Sequence, residues 1–86
     1  MSFQVTAIYI SHMRLPSGLV TSADYADYIF DVDRELSAQA AAWDAYCATR
    51  RPDARDTTVY ANAIDRLNEL KEEALLERSK ATSRPG

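Results

Sequence analysis

The sequence predicts a mainly α fold: an antiparallel helical hairpin with a long first helix over about 22–50, a second over about 56–79, and a short N-terminal β segment. Two apolar stripes at helical spacing carry that prediction. A proline-containing break separates them at 52–56, and a β-branched, aromatic run precedes them at 3–11.

The opening run, FQVTAIYIS, is rich in strand-favouring residues. Phe3, Val5 and Tyr9 alternate with Gln4 and Thr6, then Ile8 and Ile10 switch faces, as in a strand whose far end is buried on both sides. Pro16-Ser17-Gly18 reads as a turn, after which Leu19-Val20-Thr21 can fold back as a second short strand. A lone hairpin is marginal in water, so this arm has to lean on the helices or on another subunit.

Thr21 or Ser22 caps the first helix, with Asp24 three residues after Thr21 in a capping-box position. Its apolar positions are Tyr25, Tyr28, Ile29, Val32, Leu36, Ala40, Trp43, Tyr46 and Cys47. At 100° per residue they fill a sector of about 120°, the width of a core-facing stripe. Trp43 sits mid-stripe, and Cys47 is placed there as a buried thiol. Arg50-Arg51-Pro52 ends the helix, because proline disfavours helical geometry at the residue before it. Asp53 or Asp56 caps the second helix, whose stripe is Tyr60, Ala63, Ile64, Leu67, Leu70, Ala74 and Leu75. The short loop makes the helices antiparallel neighbours. Residues 1–80 thus form one domain, and 81–86 read as a disordered tail.

A chain of 86 residues with 47% hydrophobic content supports one small core. Cys47 has no partner for a disulfide, which leaves self-association as the cheap route to extra stability. The first helix offers a seam for it: Ala23, Ala26, Phe30, Ala41 and Ala48 lie opposite the Trp43 stripe. Helix propensity alone accounts for the alanines. Phe30 points to a real contact, with the N-terminal arm or with a second subunit in a homodimer.

The second surface is acidic. Asp24, Asp27, Asp31 and Glu35 follow one another at three- and four-residue spacing along one stripe, bordered by Tyr28 and Tyr46. Between residues 21 and 49 there are six acids and one base, Arg34. Such a stripe can dock on a basic protein surface. It can equally be an ion-pair face within the hairpin, with Lys71 and Arg78 as the intramolecular partners.

No chemistry-bearing motif emerges. His12 is the sole histidine, Cys47 the sole cysteine, and neither spacing suggests a nucleophile–base pair. Asp31-Val-Asp33-Arg-Glu35 opens like a calcium loop but has Leu36 and Ala42 where glycine and the closing glutamate belong. One cysteine and one histidine cannot form a structural zinc site, and two glycines cannot make a phosphate loop. The expectation is therefore a non-enzymatic protein with no cofactor and no metal. No basic n-region and no long apolar run are present, so the expected location is cytoplasmic, without membrane contact.

The order strand, helix, helix resembles the ribbon-helix-helix repressors. However, the first helix is far longer, and neither it nor the strand is basic. A net charge of −3 disfavours a phosphate backbone, with Arg50, Arg51 and Arg55 confined to the interhelical loop. The sequence thus points to a small protein-binding module, an adaptor or an inhibitor of a larger complex. A phage-type inhibitor that covers a basic groove with an acidic helix face, as an anti-CRISPR protein can, is one such case. The alternatives are a structural subunit of a larger assembly and a DNA-binding regulator acting through the arginine loop.

Overall fold

A computed structural model describes residues 3–83 and contains three helices: α1 (Phe3–Ser11), α2 (Ser22–Thr49) and α3 (Ala54–Ser83). α2 and α3 form the predicted antiparallel hairpin, and with α1 the molecule is an elongated body of 53 × 17 × 17 Å. Trp43 stacks on Tyr60 near the turn, and Lys71 meets Asp33 at 2.8 Å farther down.

The caps explain where the long helices begin. Thr21 Oγ1 accepts from the Asp24 amide at 3.1 Å, while Asp24 Oδ2 accepts from the Thr21 amide at 3.0 Å. This is the predicted capping box, with Asp in place of Glu. α3 starts in the same way: Asp53 Oδ1 accepts from the Asp56 amide at 2.8 Å, and Asp56 Oδ2 accepts from the Asp53 amide at 3.2 Å. At the far end α3 continues to Ser83, beyond the expected limit near 79. Residues 84–86 of the expected tail lie outside the described residues.

The hairpin seam follows a strict alternation of four and three. On α2 it is Tyr25, Ile29, Val32, Leu36, Gln39, Trp43 and Tyr46. On α3 it is Asp56, Tyr60, Ala63, Leu67, Leu70, Ala74 and Glu77, and none of these fourteen residues is exposed. A seven-residue period of this kind keeps two long helices in register along one seam. Gln39 occupies the seam position that the sequence stripe assigned to Ala40. Ala40 and Cys47 are both exposed, so the thiol is not a core group.

The N-terminal β segment is the clear correction. Residues 3–11 are helical, and no strand occurs among the described residues, at 19–21 included. An isolated strand here would leave its backbone amides and carbonyls without a ladder, whereas a helix satisfies them within itself. Phe3, Ala7 and Ile10, spaced four and three apart, put one helical face on the bundle, with Ala7 at 0% and Ile10 at 2% exposure. Tertiary burial on this face overrides the strand preference of Val, Ile and Tyr. α1 packs chiefly on α3 and touches α2 sparsely. Its Ala7 and Ile10 join Val32, Ala63 and Leu67 in the core, with Phe3, Met13, Tyr28, Leu36 and Val59 packed around them.

Candidate functional site

Three regions hold the residues that sequence reasoning singled out. The first is the turn end of the hairpin. Phe3, Trp43, Tyr46 and Tyr60 form an aromatic cluster there, with Phe3 centred 5.4 Å from Trp43 and 5.3 Å from Tyr46. Trp43 and Tyr60 stack at 4.6 Å with a 7° interplanar angle. Tyr46 donates its hydroxyl to Asp56 Oδ2 at 3.0 Å, and the Arg50 guanidinium sits 5.8 Å from the Tyr46 ring centre. Asp56 Oδ1 also accepts from Gln4 Nε2. That contact, then the Asp53 amide, holds the Asp56 carboxyl below the ordinary carboxylate range. Burial and the hydrogen bond to Asp56 push the Tyr46 phenol up. Tyr46 is therefore built into the helix junction.

The second region is the acidic stripe. Asp24, Asp31 and Glu35 share one edge of α2 with Ala42 and Tyr46, and Asp27 projects farther out. Asp24 is committed to the cap, where the Thr21 and Val20 amides lower its pKa. Among the described residues Asp31 pairs only with its own helix neighbour Arg34, at 3.6 Å between side chains that are mostly exposed. Among the described residues no ion pair or side-chain hydrogen bond engages Asp27 or Glu35. Lys71 goes instead to Asp33, on the opposite edge of α2. Tyr28, beside the stripe, packs against the core, and its buried hydroxyl has no hydrogen-bond partner. Burial raises its pKa, and nearby Glu73 adds to the effect.

The third region is the seam of small residues. Ala23, Ala41 and Ala48 are exposed, Ala26 is half-buried, and Phe30 stands 66% exposed. The N-terminal arm does not cover Phe30, because α1 lies against α3 and the Ala42–Tyr46 edge of α2, away from the Phe30 face.

Sequence reasoning missed a cleft between α1 and α2. Phe3 and Thr6 face Gln39, Ala42, Ala45 and Tyr46 across about 530 Å³, and Arg50 closes one end. Gln39 is only 3% exposed, and its Oε1 has no hydrogen-bond partner. A polar residue at a four-three position was the signal available in the sequence.

His12 is exposed at the end of α1, and Ser11 donates its hydroxyl to the Ile8 carbonyl at 2.7 Å rather than to His12. Among the described residues no group of three His, Cys, Asp or Glu side chains is placed to hold a metal ion. No helix among them is long and apolar enough to cross a membrane. No family model matches the chain, and comparison with curated proteins and with solved structures likewise finds no match.

Proposed function

We propose that this protein is a non-enzymatic binding module, an adaptor or inhibitor whose acidic α2 edge docks on a basic surface of a larger protein. One observation carries the proposal: among the described residues no cross-helix ion pair engages Asp27, Asp31 or Glu35, and Lys71 pairs with Asp33 instead. Acids in a row without a cross-helix cation raise the local negative potential, which steers and selects a positively charged partner. The hairpin suits that task because it holds Asp31 and Glu35 along one helix edge, with Asp27 projecting beside them, rather than on a loop.

Affinity capture from a native cell extract tests this with paired variants. Asp27→Lys combined with Asp31→Lys is expected to lose a partner that the wild-type chain retains, while Asp44→Lys keeps it. Equal capture by the double reversal and the wild-type protein would refute the reading.

A further inference from the structure

We infer that the cleft between α1 and α2 is a binding site for a small, elongated aromatic carboxylate that carries a hydroxyl at its far end. The inference does not depend on the basic-partner proposal. The cleft encloses about 530 Å³, within the range of about 300–1,000 Å³ usual for small-molecule sites. Phe3 and Tyr46 supply ring surface to it, while Ala42 and Ala45 supply methyl groups that leave the space open. Aromatic walls of this kind take a flat ring in an offset or edge-on arrangement. That lining alone would accept many apolar molecules, and two polar groups narrow the choice.

The first is Gln39, which lines the cleft, is 3% exposed, and has an Oε1 without a hydrogen-bond partner. A buried polar atom left unsatisfied calls for an explanation, and the hairpin gives none, since leucine suits this seam position. A hydroxyl on the occupant donates to that oxygen. It also suits the amide in its other orientation, because a hydroxyl accepts as well as donates. The second group is Arg50, whose guanidinium sits 5.8 Å from the Tyr46 ring centre. Among the described residues no carboxylate pairs with it. A guanidinium is the side chain best shaped to take a carboxylate through two parallel hydrogen bonds. The nearby acids do not forbid that anion. Both Asp56 oxygens are already hydrogen-bonded. Glu35 lies about 22 Å along α2 from Arg50, well beyond the ~8 Å screening length at physiological salt. Gln39 and Arg50 stand about 16 Å apart along the helix axis, which calls for a molecule with its two polar groups at opposite ends. A phosphate or acetate ion reaches only one of them.

Isothermal titration calorimetry of the full chain with para-hydroxycinnamate tests this, with cinnamate and para-hydroxycinnamyl alcohol as comparators. The hydroxy acid is expected to bind at least ~10-fold more tightly than either comparator, one lacking the hydroxyl and the other the carboxylate. Arg50→Gln should remove the advantage over the alcohol, and Gln39→Leu the advantage over cinnamate. Far-ultraviolet circular dichroism checks that both variants remain helical. As a readout independent of them, the hydroxy acid should shift the amide resonances of Ala42 and Ala45 in nuclear magnetic resonance spectra and leave those of Ala23 and Ala26 in place. No binding at millimolar hydroxy acid, equal affinity for the three compounds, preferences unchanged in the variants, or shifts confined to other residues would overturn the inference.

Discussion

The Tyr46 hydroxyl donates to Asp56 Oδ2 at 3.0 Å, joining the last turn of α2 to the first turn of α3. The same carboxylate accepts from Gln4 Nε2 on α1 and from the Asp53 amide at the α3 cap. One side chain, 5% exposed, therefore links all three helices. A carboxylate so shielded is tolerated because its oxygens are hydrogen-bonded. Phe3 packs on Tyr46, Trp43 and Tyr60 beside it, so the arm and the hairpin turn form one unit.

Asp56 and Tyr46 give this junction a defined pH response. The folded state lowers the Asp56 pKa, chiefly through Gln4, so the unfolded chain binds a proton more readily. The resulting stability is complete above the unfolded value of about 3.9 and is lost as pH falls through the folded value. Tyr46 is the mirror case. Burial first, then Asp56, raises its pKa, so its contribution is complete below about pH 10 and is lost as pH rises through the folded value. Thermal melts followed by circular dichroism should show Asp56→Asn removing part of the acid limb and Tyr46→Phe part of the alkaline limb. Melting curves of wild type and Asp56→Asn that stay parallel below pH 4 would contradict the hub role of Asp56.

The contact between α1 and α3 is set by small residues. Ala7 and Ala63 are both 0% exposed in the same core cluster, so a larger side chain at Ala7 has to be accommodated inside the core. Ala7→Leu is expected to cost about 1–3 kcal/mol through overpacking. Phe30→Ser, on the uncovered face, should change monomer stability by less than about 0.5 kcal/mol. Urea denaturation of the two variants checks both values. A larger loss for Phe30→Ser than for Ala7→Leu would mean that α1 packs elsewhere.

Much of this architecture was legible in the sequence, and the failures have specific causes. Thr21 and Asp24 announced the α2 start because capping is local chemistry, complete within four residues. The long stripes were legible because each repeats over many turns. Residues 3–11 were misread because intrinsic strand preference is decided against tertiary burial, and the 3–7–10 spacing of Phe3, Ala7 and Ile10 was too short to stand out. The stripe on α2 drifted by one position at Ala40 because the true seam residue, Gln39, is polar. Among the singled-out site residues, the role of Asp24 in the cap was legible. The Tyr46–Asp56 contact joins two helix ends, and although the four-three spacing puts each residue on the seam, nothing within either helix pairs them.

Gln39 also supplies the sharpest stability prediction. Its side chain is 3% exposed and its Oε1 has no hydrogen-bond partner, so folding strips the oxygen of water without replacing it. An unsatisfied buried polar group of this kind costs about 1–3 kcal/mol. Leucine fits the seam pattern set by its neighbours Leu36 and Trp43 and carries no group to desolvate. Gln39→Leu is therefore expected to raise unfolding stability by about 1 kcal/mol in urea with an unchanged denaturant slope. Gln39→Glu should act in the opposite direction, because it places a charge where an uncharged amide is already unsatisfied. The contrast between the two variants separates a polar cost from simple packing, since glutamate and glutamine have nearly the same shape. Destabilisation by Gln39→Leu would show instead that the amide oxygen finds a partner in solution.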